Sequence, residues 1–262
     1  MSTPGVVDIK TDEIFENLPR APIVEAVIEV RARATQTLEE SALRSALEPG
    51  LVGYSFLDSL REIHGEMKFE AGKLPTQKVS DVGWIGVQLR SLDGKHIAQF
   101  KRDGFVFSRL EPYLTWEQLY EESQRLWAIF KDLAQPAEIQ RLGLRYINRI
   151  KLPPGELRLE DYIQPAPSSP RDLDLPFDGF MHYDTLAVPE HPFAINLIRT
   201  VQRPTGAGDT GIALILDVDV FTTPGFNLGE GEIEPRLLEM RWLKNKVFFG
   251  SITKKALEMF RC

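Results

Sequence analysis

The chain has 262 residues, 43% of them hydrophobic and 26% charged, and a formal net charge of −7, so it can bury a large core as one big domain or two small ones, while the acidic balance makes general nucleic-acid binding unlikely, since that rests on clustered Lys and Arg neutralising phosphates. A single cysteine, Cys262, excludes an internal disulfide framework and a cysteine metal site, which suits a reducing, cytoplasmic setting. Residues 1–20 carry Asp8, Asp12, Glu13 and Glu16 without an apolar h-region, and the longest apolar run, "IALIL", is too short for a bilayer, so neither a signal peptide nor a membrane partner is expected.

After a loosely held N-terminal tail over residues 1–20, "IVEAVIEVRAR" alternates Val24, Ala26, Ile28 and Val30 against Glu25, Glu29, Arg31 and Arg33, the pattern of a half-buried strand. "TLEESALRSALEP" reads as a short helix stopped by Pro49. Strands are expected from about Ile63 to Glu70 and in "WIGVQLRSL", "HIAQFKR" and "GFVFSRL", with Asp93-Gly94 as a hairpin turn because both residues tolerate positive φ. Thr115, with Gln118 three residues on, opens a helix whose Trp116, Leu119, Leu126, Trp127 and Phe130 recur at helical spacing before Pro136.

The theme then repeats. "RLGLRYINRIKL" reads as a strand, "LRLEDYI" as a short helix, and "FDGFMHYDTLAV", "FAINLIRTVQR" and "GIALILDVDVF" as three more strands. A long helix from about Glu230 closes the chain, its stripe formed by Ile233, Leu237, Met240, Val247, Phe248, Ile252, Leu257 and Phe260. The expectation is an α+β protein with curved antiparallel sheets, long helices on one face and two pseudo-repeated β-α-β(3-4)-α halves, residues 21–138 and 139–262. The Pro-rich stretch "IQPAPSSPRDLDLP" reads as a surface loop in the second half.

Three segments, "LPRAPIVEAVIEVRAR", "RLGLRYINRI" and the C-terminal "FFGSITKKALEMF", resemble the marks of a sporadically distributed, conserved-hypothetical family of prokaryotic proteins of similar length. The resemblance covers essentially the whole chain and implies no activity, substrate or catalytic residues. The element order is similar to the duplicated fold of TATA-box-binding proteins and to helix-grip folds, an analogy that carries no function.

Chemistry must be sought directly in the residues. "GAGDTG", Gly206 to Gly211, matches the dinucleotide-binding spacing but precedes a strand instead of following one and opening a helix, so it reads as a hairpin loop. His64, His96, His182 and His191 are scattered without metal-ligand spacing, and His182 with Asp184 on one strand face reads as a surface pair. Phe105 and Phe107, beside Lys101, Arg102 and Arg109, read as core in place of a base-stacking platform.

What stands out is "RLGLRYINRI", with an arginine at every fourth position of a strand whose other side is apolar. Arg31, Arg33, Arg141, Arg145, Arg149, Arg199 and Arg203 are the candidate ligand-binding residues, with Asp217 and Asp219 as carboxylates on a neighbouring strand. Two readings stay open. One is a non-enzymatic binding or adaptor protein, without a catalytic residue or cofactor, that works with an unidentified protein partner and can be a homo-oligomer. The other is a metal-dependent phosphohydrolase or phosphate-ligand binder, with Asp217 and Asp219 holding Mg or Mn and the arginines clamping phosphate oxygens. The latter pattern resembles triphosphate tunnel metalloenzymes, but their Glu-x-Glu-x-Lys strand is replaced here by Glu29-Val30-Arg31-Ala32-Arg33.

Overall fold

The computed structural model describes residues 5–48, 51–68, 74, 76–153, 158–168, 175, 179–203, 211–229 and 232–261. Its strands are β1 (Ile23–Ala34), β2 (Tyr54–Lys68), β3 (Thr76–Ser91), β4 (His96–Lys101), β5 (Gly104–Leu110), β6 (Pro136–Lys151), β7 (Met181–Ala187), β8 (Phe193–Gln202), β9 (Ala213–Thr222) and β10 (Phe226–Asn227). The helices are α1 (Glu40–Leu47), α2 (Trp116–Ala134), α3 (Ile233–Ser251) and α4 (Lys254–Glu258), with one 3-10 turn at Leu159–Asp161. All ten strands belong to one antiparallel sheet in the order β2-β3-β4-β5-β1-β6-β9-β8-β7, with β10 against the end of β6.

This overturns the expected balance of sheet and long helices. The protein is sheet-dominated: among the described residues ten strands stand against two helices of 19 residues, one of 8 and one of 5. Strand length accounts for much of the difference. β2 starts at Tyr54, ahead of the strand expected from about Ile63, and β3 starts at Thr76, ahead of the strand expected from Trp84, so both run longer than their expected segments, at 15 and 16 residues. The expected C-terminal helix also divides. Ile252 turns extended to bridge Ile163, and the Thr253 side chain accepts a hydrogen bond from Ala256 N to start α4.

One face of the sheet is covered and the other is open. α2 lies over β1 and β5, α3 over β6 and β9, and between them they bury Ala26, Ile28, Phe105, Phe107, Leu144, Tyr146, Val218 and Val220. Phe100, Phe105 and Phe107 are thus core, with Phe105 against Trp127 and Phe130 of α2. α2 starts where the Thr115 hydroxyl accepts from Gln118 N, and ends at Gln135, whose left-handed φ of 45° turns the chain straight into β6 at Pro136. Gly104, at φ 154°, has no room for a side chain: a Cβ there would come within 2.1 Å of the Val30 carbonyl oxygen.

The N-terminal segment is not the loose tail expected from its polarity. Glu13 accepts from Trp242 Nε1 at 2.7 Å and Lys246 Nζ at 2.6 Å, Glu16 pairs with Arg261, and Phe15 stacks on Phe249 at 5.7 Å, strapping residues 5–22 across α3. Among the described residues, no helix is long and apolar enough to cross a membrane.

Candidate functional site

β1, β6 and β9 lie side by side at the centre, and their outward residues fall in rows fixed by register. Arg31 lies opposite Arg141; Glu29 opposite Gly143; Val27, Arg145 and Asp219 form one row, and Ile147 and Asp217 the next. Because side chains alternate along a strand, the arginines spaced four apart in β6 all reach the open face while Leu142, Leu144 and Tyr146 enter the core.

The charges on this face bind one another. Arg141 donates to Glu29 and, at 2.8 Å, to Asp219, and its guanidinium lies 4.8 Å from the Phe221 ring centre. Arg145 grips Asp217 with two bonds, Nε to Oδ1 at 2.8 Å and Nη2 to Oδ2 at 2.5 Å, while Arg31 Nε reaches Glu29 at 2.9 Å. Gly143 gives Arg141 its course, since a Cβ at that position would come within 2.4 Å of Arg141 Nη1. Burial raises the Asp219 carboxyl above its usual range against the pull of Arg141 and Arg145, and the Asp217 hydrogen bond holds the Arg145 guanidinium more firmly protonated. A depression of about 360 Å³ bordered by Glu29, Arg31, Lys101, Arg141, Arg145 and Asp219 lies over the network.

Seven arginines and two aspartates were singled out from the sequence, and they do not all meet. Arg31, Arg141, Arg145, Asp217 and Asp219 come together. Arg149 shares their face further along β6, where it bonds Gln202 at 3.0 Å, and Arg33 is exposed at the end of β1 opposite Glu138. Arg203 is exposed just beyond β8. Arg199 is on the covered face: β8 places it beside Leu216, where it is buried, donates to Asp184 at 2.8 Å and to the Pro165 carbonyl, and leaves its Nε without an acceptor among the described residues. A lone arginine in an apolar strand does not reveal which face it occupies, and Arg199 takes the side opposite the cluster. Asp184 is therefore the partner of Arg199, and His182 packs edge-on against Phe180. The "GAGDTG" stretch up to Thr210 and part of the Pro-rich stretch lie outside the described residues. Among the described residues, no group of three or more His, Cys, Asp or Glu side chains is arranged to hold a metal ion.

Two further features were not found by sequence reasoning. β4 pairs β3 only from Gly86 to Arg90, so β2 beyond Leu60 and β3 before Gly86 leave the sheet as a two-stranded arm. Register puts Val79 opposite Gly65, between Ile63 and Met67, and these three apolar side chains share one exposed face, Ile63 at 63% and Val79 at 59%. The second is a cavity of about 520 Å³ on the covered side, between the N-terminal strap, the segment entering α2 and α3, with Arg241 and Lys244 on its wall. No family model matches the chain, and no curated protein matches it.

Proposed function

We propose that the chain is a non-enzymatic binding or adaptor protein and that the β2–β3 arm docks a protein partner. The arm carries the reading. A two-stranded ribbon in water is marginally stable, and one that displays Ile63, Met67 and Val79 outward gains from being covered. Among the described residues β2 ends the sheet with an unpaired strand edge and β7 ends the other side, with Met181 and Tyr183 exposed, so both borders offer an edge to an added strand.

The alternative, a phosphate-ligand site with Mg or Mn on Asp217 and Asp219, has less support. Each central arginine already satisfies a carboxylate, and a phosphate or metal must compete with the two-bond Arg145–Asp217 pair. The test places a photo-crosslinking amino acid at Ile63, Val79 or, as a control, at the exposed Val52. A defined heterologous adduct from Ile63 and Val79 but not from Val52 supports the arm as the docking element. Equal background labelling at all three sites refutes it. A magnesium-dependent rise in melting temperature with tripolyphosphate, lost in Arg145→Ala, would favour the alternative.

A further inference from the structure

Lys244 sits on the inward side of α3, one turn beyond Met240 and two beyond Leu237, in the stripe that packs on the sheet. Its ammonium lies 3.8 Å from the Tyr146 ring centre and makes no hydrogen bond and no ion pair among the described residues. None of the acidic groups around the cavity pairs with Lys244. Glu13 is held by Trp242 and Lys246, Glu16 by Arg261, and Glu117 lies 3.8 Å from Arg241, while Asp12 lies on the strap. Tyr113 and Tyr146 hydrogen-bond each other at 3.0 Å, and Asn148 donates to the Leu216 carbonyl, so the polar groups of the sheet floor are fixed as well. Loss of water around the amine, and secondly the like charge of Arg241, bring Lys244 down to about 7.

A half-buried ammonium beside a second cation, facing a cavity and without a carboxylate partner among the described residues, marks a place where an anion is expected. The rest of the wall fixes the kind of anion. Phe15, Leu18, Trp116, Phe248 and Phe249 supply an apolar and aromatic lining, and about 520 Å³ falls within the size range of small-molecule sites. We propose that this cavity binds a small monocarboxylate with an aromatic or aliphatic body, its carboxylate held between Lys244 and Arg241 and its body against Phe248 and Trp116. Two cations, one of them bound to an aromatic ring and the other near Glu117, suit a single negative charge better than a polyphosphate. The site is on the opposite side of the sheet from the arginine network and is independent of the arm.

The test is calorimetric titration of the full chain with benzoate, 3-phenylpropionate and butyrate, and separately with inorganic phosphate, at about pH 6 and about pH 9, on either side of the amine's titration. At least one carboxylate is expected to bind at the lower pH and to weaken at least about tenfold at the higher, because only the protonated amine attracts it. Proton uptake on binding near neutrality, read from the heats in two buffers of different ionisation enthalpy, is a second signature in the unaltered protein. Lys244→Met, with folding checked by thermal unfolding, should abolish binding, and Lys254→Met, on the exposed face of α4, should not. Failure of every carboxylate at the lower pH, a pH-independent affinity without proton uptake, or binding unchanged in a folded Lys244→Met overturns the proposal. Phosphate binding with the same pH and lysine dependence, in place of the carboxylates, overturns the ligand class.

Discussion

Replacing Lys244 with methionine should make the protein more stable, by an amount that depends on pH. The side chain is a straight chain of similar length, so the volume above Tyr146 stays filled and the change is mainly in charge. The amine titrates near 7 in the fold against an ordinary value of 10.5. The folded chain therefore holds fewer protons than the unfolded chain between these two values, and its stability rises with pH across that window. At or below pH 7 the burial penalty is near its maximum, about 4 kcal/mol as an upper bound, and by pH 10 it has fallen to about 1 kcal/mol. Loss of the ring contact offsets about 1 kcal/mol of the gain. The variant should thus exceed the parent by about 3 kcal/mol at pH 7, a rise of roughly 6 to 12 °C in melting temperature, and match it near pH 10. Denaturant unfolding of both proteins at the two pH values measures this directly. A variant no more stable at pH 7, or a gain that persists undiminished to pH 10, would show that the ammonium is not held in a desolvated position, and the carboxylate site would lose its physical basis.

Arg145→Ala leaves the buried Asp217 carboxylate without its two-bond partner and should cost about 1 to 3 kcal/mol, whereas Arg61→Ala, which breaks an exposed pair with Asp81, should leave the melting temperature unchanged; a double-mutant cycle with Asp217→Asn checks that the loss belongs to the pair. Gly143→Ala should displace the Arg141 guanidinium from Glu29 at little cost to stability, because the atoms in the way are the far end of a flexible side chain, and a crystal structure of the variant with Arg141 unmoved would refute it. Phe130→Ala, under α2 against Phe100 and Phe105, should cost about 3 to 5 kcal/mol by chemical unfolding. Replacing residues 61–84 with a tight turn should leave the core's unfolding transition intact, and loss of cooperative unfolding would mean that the arm is structurally required.

The arginine strand was legible because two periodicities coincide in it: apolar residues at every second position and arginines at every fourth can only be reconciled by a strand with one buried face. Its partners were legible as a list but not as a place. Register decides that Asp219 meets Arg145 in one row and that Arg199 faces the core, and register follows from bulges and loop lengths that composition does not reveal. One side of the arm was legible as the strand from about Ile63, but its partner ahead of Trp84 was not, since alternation reports a half-buried strand and Lys78 to Val82 are all exposed. Lys244 was present in the pattern all along: a lysine four residues after Met240 and four before Phe248 interrupts an otherwise apolar stripe. Its neighbours at 243 and 247 made the stripe appear continuous without it. The strap was misread because Glu13 and Glu16 suggested solvent, when their partners Trp242, Lys246 and Arg261 lie more than two hundred residues away.

The central position of β1 has a consequence during synthesis. β1 is made first and pairs on one side with β5, but its other edge must wait for β6, which begins only at Pro136. At about 5–20 residues per second that edge stays unsatisfied for on the order of 5–20 s, with Ala26, Ile28 and Val30 already facing a half-built core. For that interval the nascent chain resembles a sheet cut down its middle, and the nearest strand able to complete it is the same β1 edge of a neighbouring chain on the same message. Glu25, Glu29, Arg31 and Arg33 put charges of both signs along this strand, a polar face that keeps the waiting β1 from presenting a continuous apolar surface until its own β6 arrives.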